Sequence, residues 1–499
     1  MSRVLKNIVN GKWVPSKKHM EIANVLTGQI NHKVPVTSTN ELIPFIDSIN
    51  AVPKSGLHNP FKQPERYQML GRVCFNTAHA LHEKEIQQQI IDEIITVTGK
   101  TEEQAQGELI VTRAFLENFS GDQVRFLAKG FTTPGDHLGQ LANGFRWPYG
   151  SVAIISPFNF PLEIPLLQLM GALFMGNKPL LKVDSRVSLV MDTILTLMHA
   201  NGLPEEDVDF IHCDGETMQT LLLNSQLRMT QFTGSSKVAE LLSKQLSGKI
   251  RIEGGGFDWK IIGNCKGLDH ETVCKVCTKD AYSFSGQKCS AQSMVFLDHS
   301  WDVNRFKEKL KGLAYKETMG PVLTLTSDEM IEHVNKLLTI EGAELWFGNK
   351  KMDKDSIPDH LGFIEPTAVY IPIKEINEST IELVTKEIFG PVQVITTYED
   401  IDDVIKICEQ IKENLTAAVV SNDPIFVNYV LGNTVNGTTY VGEKARTTGA
   451  PQNHWFGPCG DPRSAGIGSP ESIIQTWSCH CLLYTSPSPR DRQKSRNPG

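Results

Sequence analysis

The chain has 499 residues, of which 40% are hydrophobic and 21% charged, and its formal net charge is −8. This composition supports two or three ordinary globular cores, and the mild acidity argues against a nucleic-acid-binding surface. No stretch approaches the roughly 20 apolar residues that span a membrane, because the longest apolar segment, 162–175, is interrupted by Glu163, Pro165 and Gln168.

The ten cysteines are scattered along the chain, which favours reduced thiols in a cytoplasmic or mitochondrial-matrix compartment. Cys274 and Cys277 form one Cys-x-x-Cys pair, but no second pair lies at zinc spacing, so no metal is predicted. Near the N-terminus, Asn10-Gly11 is typical of a two-residue hairpin turn. We therefore expect no clear transit peptide.

Helices and an arm are predicted before the first long run of strands. Residues 60–128 have helical periodicity, with one apolar cluster that ends at Gly99. Residues 131–150 contain Gly, Pro and polar residues at short intervals. They predict an irregular arm or hairpin outside the main core.

Alternating strands and helices follow. Five apolar runs predict strands at 151–155, 179–183, 208–213, 228–232 and 250–253. A second alternating region predicts strands at 291–297, 368–373, 392–397 and 417–420. Such alternation builds parallel βαβ units, so the predicted fold class is α/β with two open parallel domains. Ligands of such sheets bind beyond the carboxyl ends of the strands.

The C-terminal segment 481–499 has a different composition. It is Ser/Pro-rich and basic, and it has no apolar periodicity after its first residues. This composition predicts a disordered tail, and we interpret it as a translated vector or adapter scar. A functional disordered tail is the alternative.

Cys289 is a candidate nucleophile. It lies in Ser285-Gly-Gln-Lys-Cys-Ser-Ala291, between a predicted helix and a predicted strand, where a thiol can reach a cleft. A nucleophilic cysteine needs a nearby cation, base or helix end, and Lys288 is adjacent. By itself, such a residue is more often a buried structural cysteine.

Three further segments follow predicted strands. Asn159, in Ser156-Pro-Phe-Asn-Phe-Pro, can donate to an oxyanion, although an Asx turn is the ordinary interpretation. Glu253 precedes three glycines and can act as a general base, or it is a surface glutamate at a turn. Gly234 and Ser235 begin a predicted helix, whose backbone N–H groups suit phosphate.

As a set, these segments resemble the aldehyde dehydrogenase superfamily from about Asn7 to His480. The matching motifs are Pro157-Phe-Asn-Phe-Pro, Phe232-Thr-Gly-Ser-Ser, Glu253-Gly-Gly, Gly286-Gln-Lys-Cys and Glu387-Ile-Phe-Gly-Pro. Other segments are similar to the plant-type branch of delta-1-pyrroline-5-carboxylate dehydrogenases, also called glutamate γ-semialdehyde dehydrogenases. Those segments are Gly254-Gly-Gly-Phe-Asp-Trp-Lys260, 286–291, Asn436-Gly-Thr-Thr-Tyr440 and 448–458.

The resemblance implies a role for each matching residue. The catalytic residues would be Cys289 as nucleophile, Glu253 as the base that activates water, and Asn159 as oxyanion donor. The expected cofactor is NAD, bound by Ser156, Pro157, Phe158, Lys182, Gly234, Ser235, Glu387 and Phe389. The substrate is expected to contact Ser290, Phe456 and Gly457, with the Cys459 amide as a further donor to its carboxylate.

The resemblance also implies an organisation and a reaction. Residues 1–130 and 151–265 would form a Rossmann-like NAD-binding domain, and 266–445 a catalytic domain. Residues 131–150 and 446–480 would form an oligomerisation arm and a substrate loop. The expected reaction is NAD-dependent oxidation of L-glutamate γ-semialdehyde to L-glutamate, in proline degradation, through a thiohemiacetal and a thioester on Cys289. A homo-oligomer is expected, with a small-molecule aldehyde as substrate and without nucleic-acid or membrane partners.

Departures from the family pattern leave alternatives open. Lys182-Val-Asp-Ser stands where many relatives have Lys-Pro-x-Glu, so NAD and NADP both remain candidates. The alternatives are a dehydrogenase of another semialdehyde, a CoA-acylating enzyme or a catalytically inactive structural homologue. Glu253 argues against CoA acylation, and retention of Cys289, Asn159 and Glu253 together argues against inactivity. NADH formation with and without CoA would separate these alternatives.

Overall fold

The computed structural model describes residues 3–353 and 356–485. The strands are β1 (Arg3–Val4), β2 (Asn7–Val9), β3 (Lys12–Val14), β4 (His19–Ala23), β5 (Ile30–Pro35), β6 (Thr132–Pro134), β7 (Leu141–Pro148), β8 (Ser151–Ile155), β9 (Lys178–Lys182), β10 (Asp209–Phe210), β11 (Met229–Thr233), β12 (Ile250–Glu253), β13 (Asp258–Ile262), β14 (Gln292–Asp298), β15 (Glu344–Phe347), β16 (Thr367–Tyr370), β17 (Val392–Tyr398), β18 (Thr416–Val420), β19 (Thr438–Val441) and β20 (Ser478–Tyr484).

The helices are α1 (Ile43–Asn50), α2 (Glu65–Ala80), α3 (Lys84–Thr98), α4 (Glu102–Asn118), α5 (Gln123–Phe126), α6 (Glu163–Phe174), α7 (Ser188–Ala200), α8 (Gly215–Asn224), α9 (Ser236–Gln245), α10 (His270–Tyr282), α11 (Val303–Ala314), α12 (Ser327–Leu337), α13 (Ile381–Val384), α14 (Ile401–Cys408), α15 (Pro424–Gly432) and α16 (Pro470–Trp477). Within the described ranges, no helix has both the length and the apolarity that crossing a membrane requires.

Two seven-stranded sheets form the body of the molecule. The first has the order β12-β11-β8-β9-β10-β2-β3, and the second the order β15-β16-β17-β14-β13-β18-β19. In the first sheet β8 to β12 run parallel, and in the second only β15 is antiparallel to its neighbour. The predicted α/β class with two open parallel domains is therefore confirmed.

The core explains why the central helix of the first domain is so apolar. Every residue of α6 is buried, because β8 and β9, α4 and the C-terminal helix α16 surround it. Asn177, just after α6, donates from Nδ2 to the Trp477 carbonyl at 2.8 Å. The C-terminal segment thus packs on the first domain, although it follows the second domain in the chain.

One predicted boundary is wrong. Strand β13 (Asp258–Ile262) pairs with β14 and β18 of the second sheet, so the division between domains falls before residue 258 rather than at 265. The polar residues Asp258 and Lys260 interrupt this strand and obscured it in the sequence. Both are fully buried, and Lys260 donates to Asp280 at 2.8 Å.

The arm is a three-stranded sheet of order β20-β7-β6. Strand β20 pairs with β7 along its whole length, from Ser478 opposite Pro148 to Tyr484 opposite Ala142. Residues 481–484 therefore belong to the arm, and the predicted tail at 481–499 began too early. Residues 486–499 of that predicted tail lie outside the described residues.

Ending the chain after Thr485 should leave the Tm unchanged to within about 2 °C, because β20 is kept. Ending it after Trp477 should lower the Tm or alter the assembly, because β7 loses its seven-residue partner. Differential scanning calorimetry and size-exclusion chromatography of both truncations test this. A large Tm loss in the variant that ends after Thr485 would contradict the assignment of 486–499 as dispensable.

Candidate active site

A cavity of about 500 Å³ lies beyond the carboxyl ends of β8, β9 and β11. Parallel strands commonly place their ligands at this edge of a sheet. All eight residues predicted to bind the cofactor line this cavity, namely Ser156, Pro157, Phe158, Lys182, Gly234, Ser235, Glu387 and Phe389. The structure therefore brings together residues that lie more than 200 positions apart in the chain.

The cavity offers groups that suit a dinucleotide. Ser235 is the N-cap of α9, and its side chain bonds none of the first backbone N–H groups of that helix. The Val238 and Ala239 N–H groups donate to the Ser235 carbonyl, but those of Ser236 and Lys237 have no helical carbonyl to bond and suit an anion such as a pyrophosphate. Lys182 adds a cation at the end of β9, where its carbonyl accepts from the Ser156 N–H at 3.1 Å.

Glu387 closes the cavity on the side of the second domain. Its Oε1 accepts a hydrogen bond from the Gly256 N–H at 3.1 Å. Burial raises the pKa of Glu387 to about 8, although the Gly256 hydrogen bond opposes the rise. A Cβ atom on Gly255 would overlap Glu387 Oε2, and one on Gly256 would overlap the Cys289 carbonyl. The backbone after Glu253 thus passes so close to Glu387 and Cys289 that only glycine fits there.

The loop that carries Cys289 is turned sharply. Phe284, Ser285 and Gly286 all have positive φ angles, of 55°, 51° and 70°. Such angles are costly outside glycine. They end the helical region after α10 and direct the chain towards the cavity, where Cys289 is 8% exposed.

Two residues without a predicted role hold this loop. Ser285 Oγ donates to the Gly320 carbonyl and accepts from the Gly320 N–H, both at 2.9 Å. Gln287 Nε2 donates to the Pro321 carbonyl at 2.9 Å, and its Oε1 accepts from the Leu323 N–H at 2.8 Å. Both belong to the motif around Cys289. Their hydrogen-bond partners lie over 30 residues away in the chain, so no local sequence pattern indicates that Ser285 and Gln287 hold the loop.

Glu253 lies beside Cys289 at the end of β12 and is 1% exposed. Within the described residues, neither of its carboxylate oxygens has a regular hydrogen-bond partner. Burial raises the pKa of Glu253 to about 7, and the neighbouring Cys289 thiol partly offsets the rise. A carboxyl group that titrates near neutrality is suited to general base catalysis.

The Cys289 thiol is surrounded by low-dielectric contacts and negative charge. Burial raises its pKa well above the usual range, and the nearby carboxylates Glu253, Asp258 and Glu387 raise it further. The thiol is therefore neutral at rest. A base must remove its proton before it can attack, and Glu253 is the adjacent group that can do so.

Asn159 lines the same cavity as Glu387. It follows β8 in the turn that leads to α6, it is 1% exposed, and it lines the cavity together with Cys289. Its side-chain Oδ1 has no partner among the described residues. The amide is thus held by packing rather than by hydrogen bonds, and it can serve an oxyanion on the carbon bonded to Cys289.

The predicted substrate residues lie outside the cofactor cavity. Ser290 and Phe456 are buried, and Phe456 belongs to the same apolar cluster as Cys289. Gly457 follows Phe456, whose backbone pairs with Ile467. The Cys459 N–H donates to the Asn414 carbonyl at 3.1 Å, so the expectation that this amide is free for a carboxylate is wrong.

Comparison with known proteins agrees with this architecture. Residues 13–472 match the model of the aldehyde dehydrogenase family. The chain is 54% identical over 486 residues to delta-1-pyrroline-5-carboxylate dehydrogenase 12A1 of Arabidopsis thaliana, covering 95% of this chain and 87% of that protein. It is 53% identical over 483 residues to a probable aldehyde dehydrogenase of Linum usitatissimum, with the same coverage.

Solved structures share the fold at low sequence identity. Betaine aldehyde dehydrogenase of Staphylococcus aureus, in complex with NAD+, superposes with a TM-score of 0.82 at 20% identity, covering 97% of this chain and 95% of that one. An aldehyde dehydrogenase of Physcomitrella patens, in complex with succinate, superposes with a TM-score of 0.80 at 18% identity, covering 97% and 98%. The chain belongs to the aldehyde dehydrogenase family.

Proposed function

We propose that this enzyme oxidises L-glutamate γ-semialdehyde, the open form of pyrroline-5-carboxylate, to L-glutamate with NAD. The observation that carries the proposal is the 54% identity with the Arabidopsis enzyme along 95% of the chain. Cys289 and Asn159 line one cavity, and Glu253 adjoins it. That cavity also contains every predicted cofactor residue.

The chain's own residues account for the chemistry in order. Glu253 takes the proton from the Cys289 thiol, and the sulfur adds to the aldehyde carbon. The Asn159 side chain and the Cys289 N–H donate to the oxygen, which becomes negative as the thiohemiacetal forms. NAD held by Lys182, Ser235 and Glu387 would supply the hydride acceptor, so that the thiohemiacetal can become a thioester.

Hydrolysis reuses the same base. Once its proton has been lost, Glu253 accepts a proton from water, and the resulting hydroxide attacks the thioester carbon. The carbon–sulfur bond breaks, the carboxylic acid leaves, and the Cys289 thiolate takes the proton from Glu253, which restores the neutral thiol and the free base. One site thus places a nucleophile, a base and an oxyanion donor around one carbon, which gives a large entropic advantage.

The arm and the relatives support two further parts of the proposal. The arm exposes four apolar side chains, Leu138, Leu141, Leu482 and Leu483. Burying such a surface favours a homo-oligomer.

The Arabidopsis relative is named as a mitochondrial enzyme, which supports the mitochondrial matrix as the compartment of this protein.

Cys289→Ala should abolish NADH formation, because no other group is positioned to attack the carbonyl. Glu253→Gln should slow both thiol activation and thioester hydrolysis, and the acyl-enzyme that does form should be found on Cys289 by mass spectrometry after acid quenching. NADH assays with and without CoA should give the same rate in the wild-type protein. Turnover by Cys289→Ala, an adduct elsewhere, or dependence on CoA would contradict this mechanism.

The hydrolytic step should depend on pH through Glu253. The pKa of about 7 means that the base is lost as the pH falls, so the rate should drop about tenfold per pH unit well below 7. Stopped-flow measurement of Cys289 deacylation after reaction with p-nitrophenyl acetate isolates this step. The residual rate of Glu253→Gln should not follow this titration, and the same curve in that variant would rule out Glu253 as the base.

The substrate preference is tested by comparing kcat/KM for L-glutamate γ-semialdehyde, succinate semialdehyde and butanal. A site that binds polar groups rejects analogues without them strongly, whereas one methylene changes little. We therefore expect the amino-acid semialdehyde to be preferred over butanal by at least about 100-fold. Equal use of butanal would remove the substrate proposal and with it the roles of Ser290, Phe456 and Gly457.

A further inference from the structure

Lys100 and Glu108 form a buried ion pair that the mechanism above does not use. Lys100 lies in the turn between α3 and α4, and Glu108 lies in the first half of α4. Lys100 Nζ donates to Glu108 Oε2 at 2.6 Å, and the two side chains are only 2% and 0% exposed. A buried ion pair adds little net stability compared with well-packed apolar residues, so stability alone does not account for this one.

Glu108 supplies the cap that helix α6 lacks. The N-cap of α6 is the apolar Leu162, which makes no side-chain cap bond. Instead, Glu108 Oε1 accepts from the N–H groups of Leu162 and Glu163 at 2.9 and 3.1 Å. The first N–H groups of a helix have no partner within it, and negative charge beside them is favourable. Asn159 lies three residues before Leu162, so Glu108 fixes the end of the turn that carries Asn159.

Lys100 contacts both that turn and the loop that carries Cys289. Its Nζ lies 4.0 Å from the centre of the Phe160 ring and 4.8 Å from the centre of the Phe284 ring. Phe160 directly follows Asn159, and Phe284 is the first of the three residues whose positive φ angles direct the chain towards Cys289. A desolvated ammonium group over two aromatic rings attracts both, so Lys100 joins the two segments.

The backbone of the same turn packs against the support of the Cys289 loop. Gly99 has a φ of 74°, and a Cβ atom there would lie 2.8 Å from Pro321 Cδ. A Cβ atom on Gly320 would lie 2.7 Å from the Gly99 carbonyl oxygen. The segment 320–323 is the one to which the Cys289 loop is hydrogen-bonded. The turn between α3 and α4 therefore contacts the loop and also the segment that holds it.

We propose that the Lys100–Glu108 pair is a positioning element that sets the Asn159 amide against Cys289. This inference rests on the roles proposed above for Asn159 and Cys289. Glu108 fixes the turn after β8, Lys100 joins that turn to the loop before β14, and their hydrogen bond links the two contacts. An oxyanion donor must be held to within about 0.5 Å of its working position, so a shift of either segment slows attack by the thiol.

Acylation of Cys289 by p-nitrophenyl acetate, followed by the burst of p-nitrophenol, tests this role without a cofactor. Lys100→Met should slow acylation about 10- to 100-fold, because misplacing a reacting group by about 1 Å has a cost of that order. In an Asn159→Ala background the same substitution should change the rate less than about twofold, because the donor that it positions is already absent.

Two substitutions of Glu108 separate hydrogen bonding from packing. Glu108→Gln keeps an amide oxygen for the two N–H groups at the start of α6, whereas Glu108→Leu keeps only a similar volume. Acylation should be slower in Glu108→Leu than in Glu108→Gln by about tenfold, because only the leucine variant releases the start of α6. This pair of variants also tests the proposal if Lys100→Met does not fold.

Lys178 provides a matched control at the opposite end of β9 from the cavity. It is also a buried lysine, and its Nζ donates to Ser48 Oγ at 2.9 Å and lies 3.6 Å from an oxygen of Asp209. Lys178→Met should lower the Tm but leave the acylation rate within about twofold of wild type, because it has no contact with either active-site segment. The Tm and NADH binding, followed by fluorescence, establish that each variant is folded.

The possible outcomes separate this inference from the proposed mechanism. An equal loss from Lys100→Met with and without Asn159 would overturn the positioning role, as would unchanged acylation in Lys100→Met and Glu108→Leu. A loss of the same size in Lys178→Met would mean that general destabilisation slows the reaction, and the inference would be wrong. Wild-type acylation by Asn159→Ala would instead overturn the proposed role of Asn159 itself.

Discussion

The site depends on one steric constraint, the passage of the backbone at 254–256 between Cys289 and Glu387. This segment carries the chain from β12 of the first sheet to β13 of the second. A side chain on Gly255 or Gly256 would overlap Glu387 or the Cys289 carbonyl. Because the glycines permit this close approach, Glu253 at the end of β12, Cys289 before β14 and Glu387 before β17 come together between the two sheets.

The same crossing concentrates acidic groups in a dry region. Glu253, Asp258 and Glu387 all raise the pKa of the Cys289 thiol, so the resting nucleophile is protonated and poorly reactive towards oxidants. Asp258 is itself restrained, since its Oδ1 accepts from both the N–H and the hydroxyl of Thr416 at 2.7 Å. Burial therefore keeps the thiol protonated, and the adjacent Glu253, whose pKa is about 7, is suited to deprotonate it.

Sequence patterns predicted the elements whose signals are local. Strands such as β8 and β18 are continuous apolar runs, and the cofactor residues follow strands or lie in family motifs. Strand β13 was not predicted because Asp258 and Lys260 are polar. They can be buried in a strand only because Thr416 and Asp280, which are distant in the chain, form hydrogen bonds with them. Glu163 counted only as an interruption of an apolar segment. Its environment is made by α4, β12 and the Cys289 loop, and such long-range pairing has no signature in a short window.

The chain leaves the first domain after β12 and returns to it after β19, and the two passages lie beside each other. After β19, the segment that leads to α16 pairs with β12, because the Ile252 N–H donates to the Arg463 carbonyl at 2.9 Å and the Ala465 N–H donates to the Ile252 carbonyl at 3.1 Å. The two covalent connections between the domains thus lie side by side, and the returning segment is hydrogen-bonded to the strand that ends at Glu253. A substitution at 463–465 that breaks this pairing would therefore disturb the strand that carries Glu253, although these residues lie about 210 positions away in the chain.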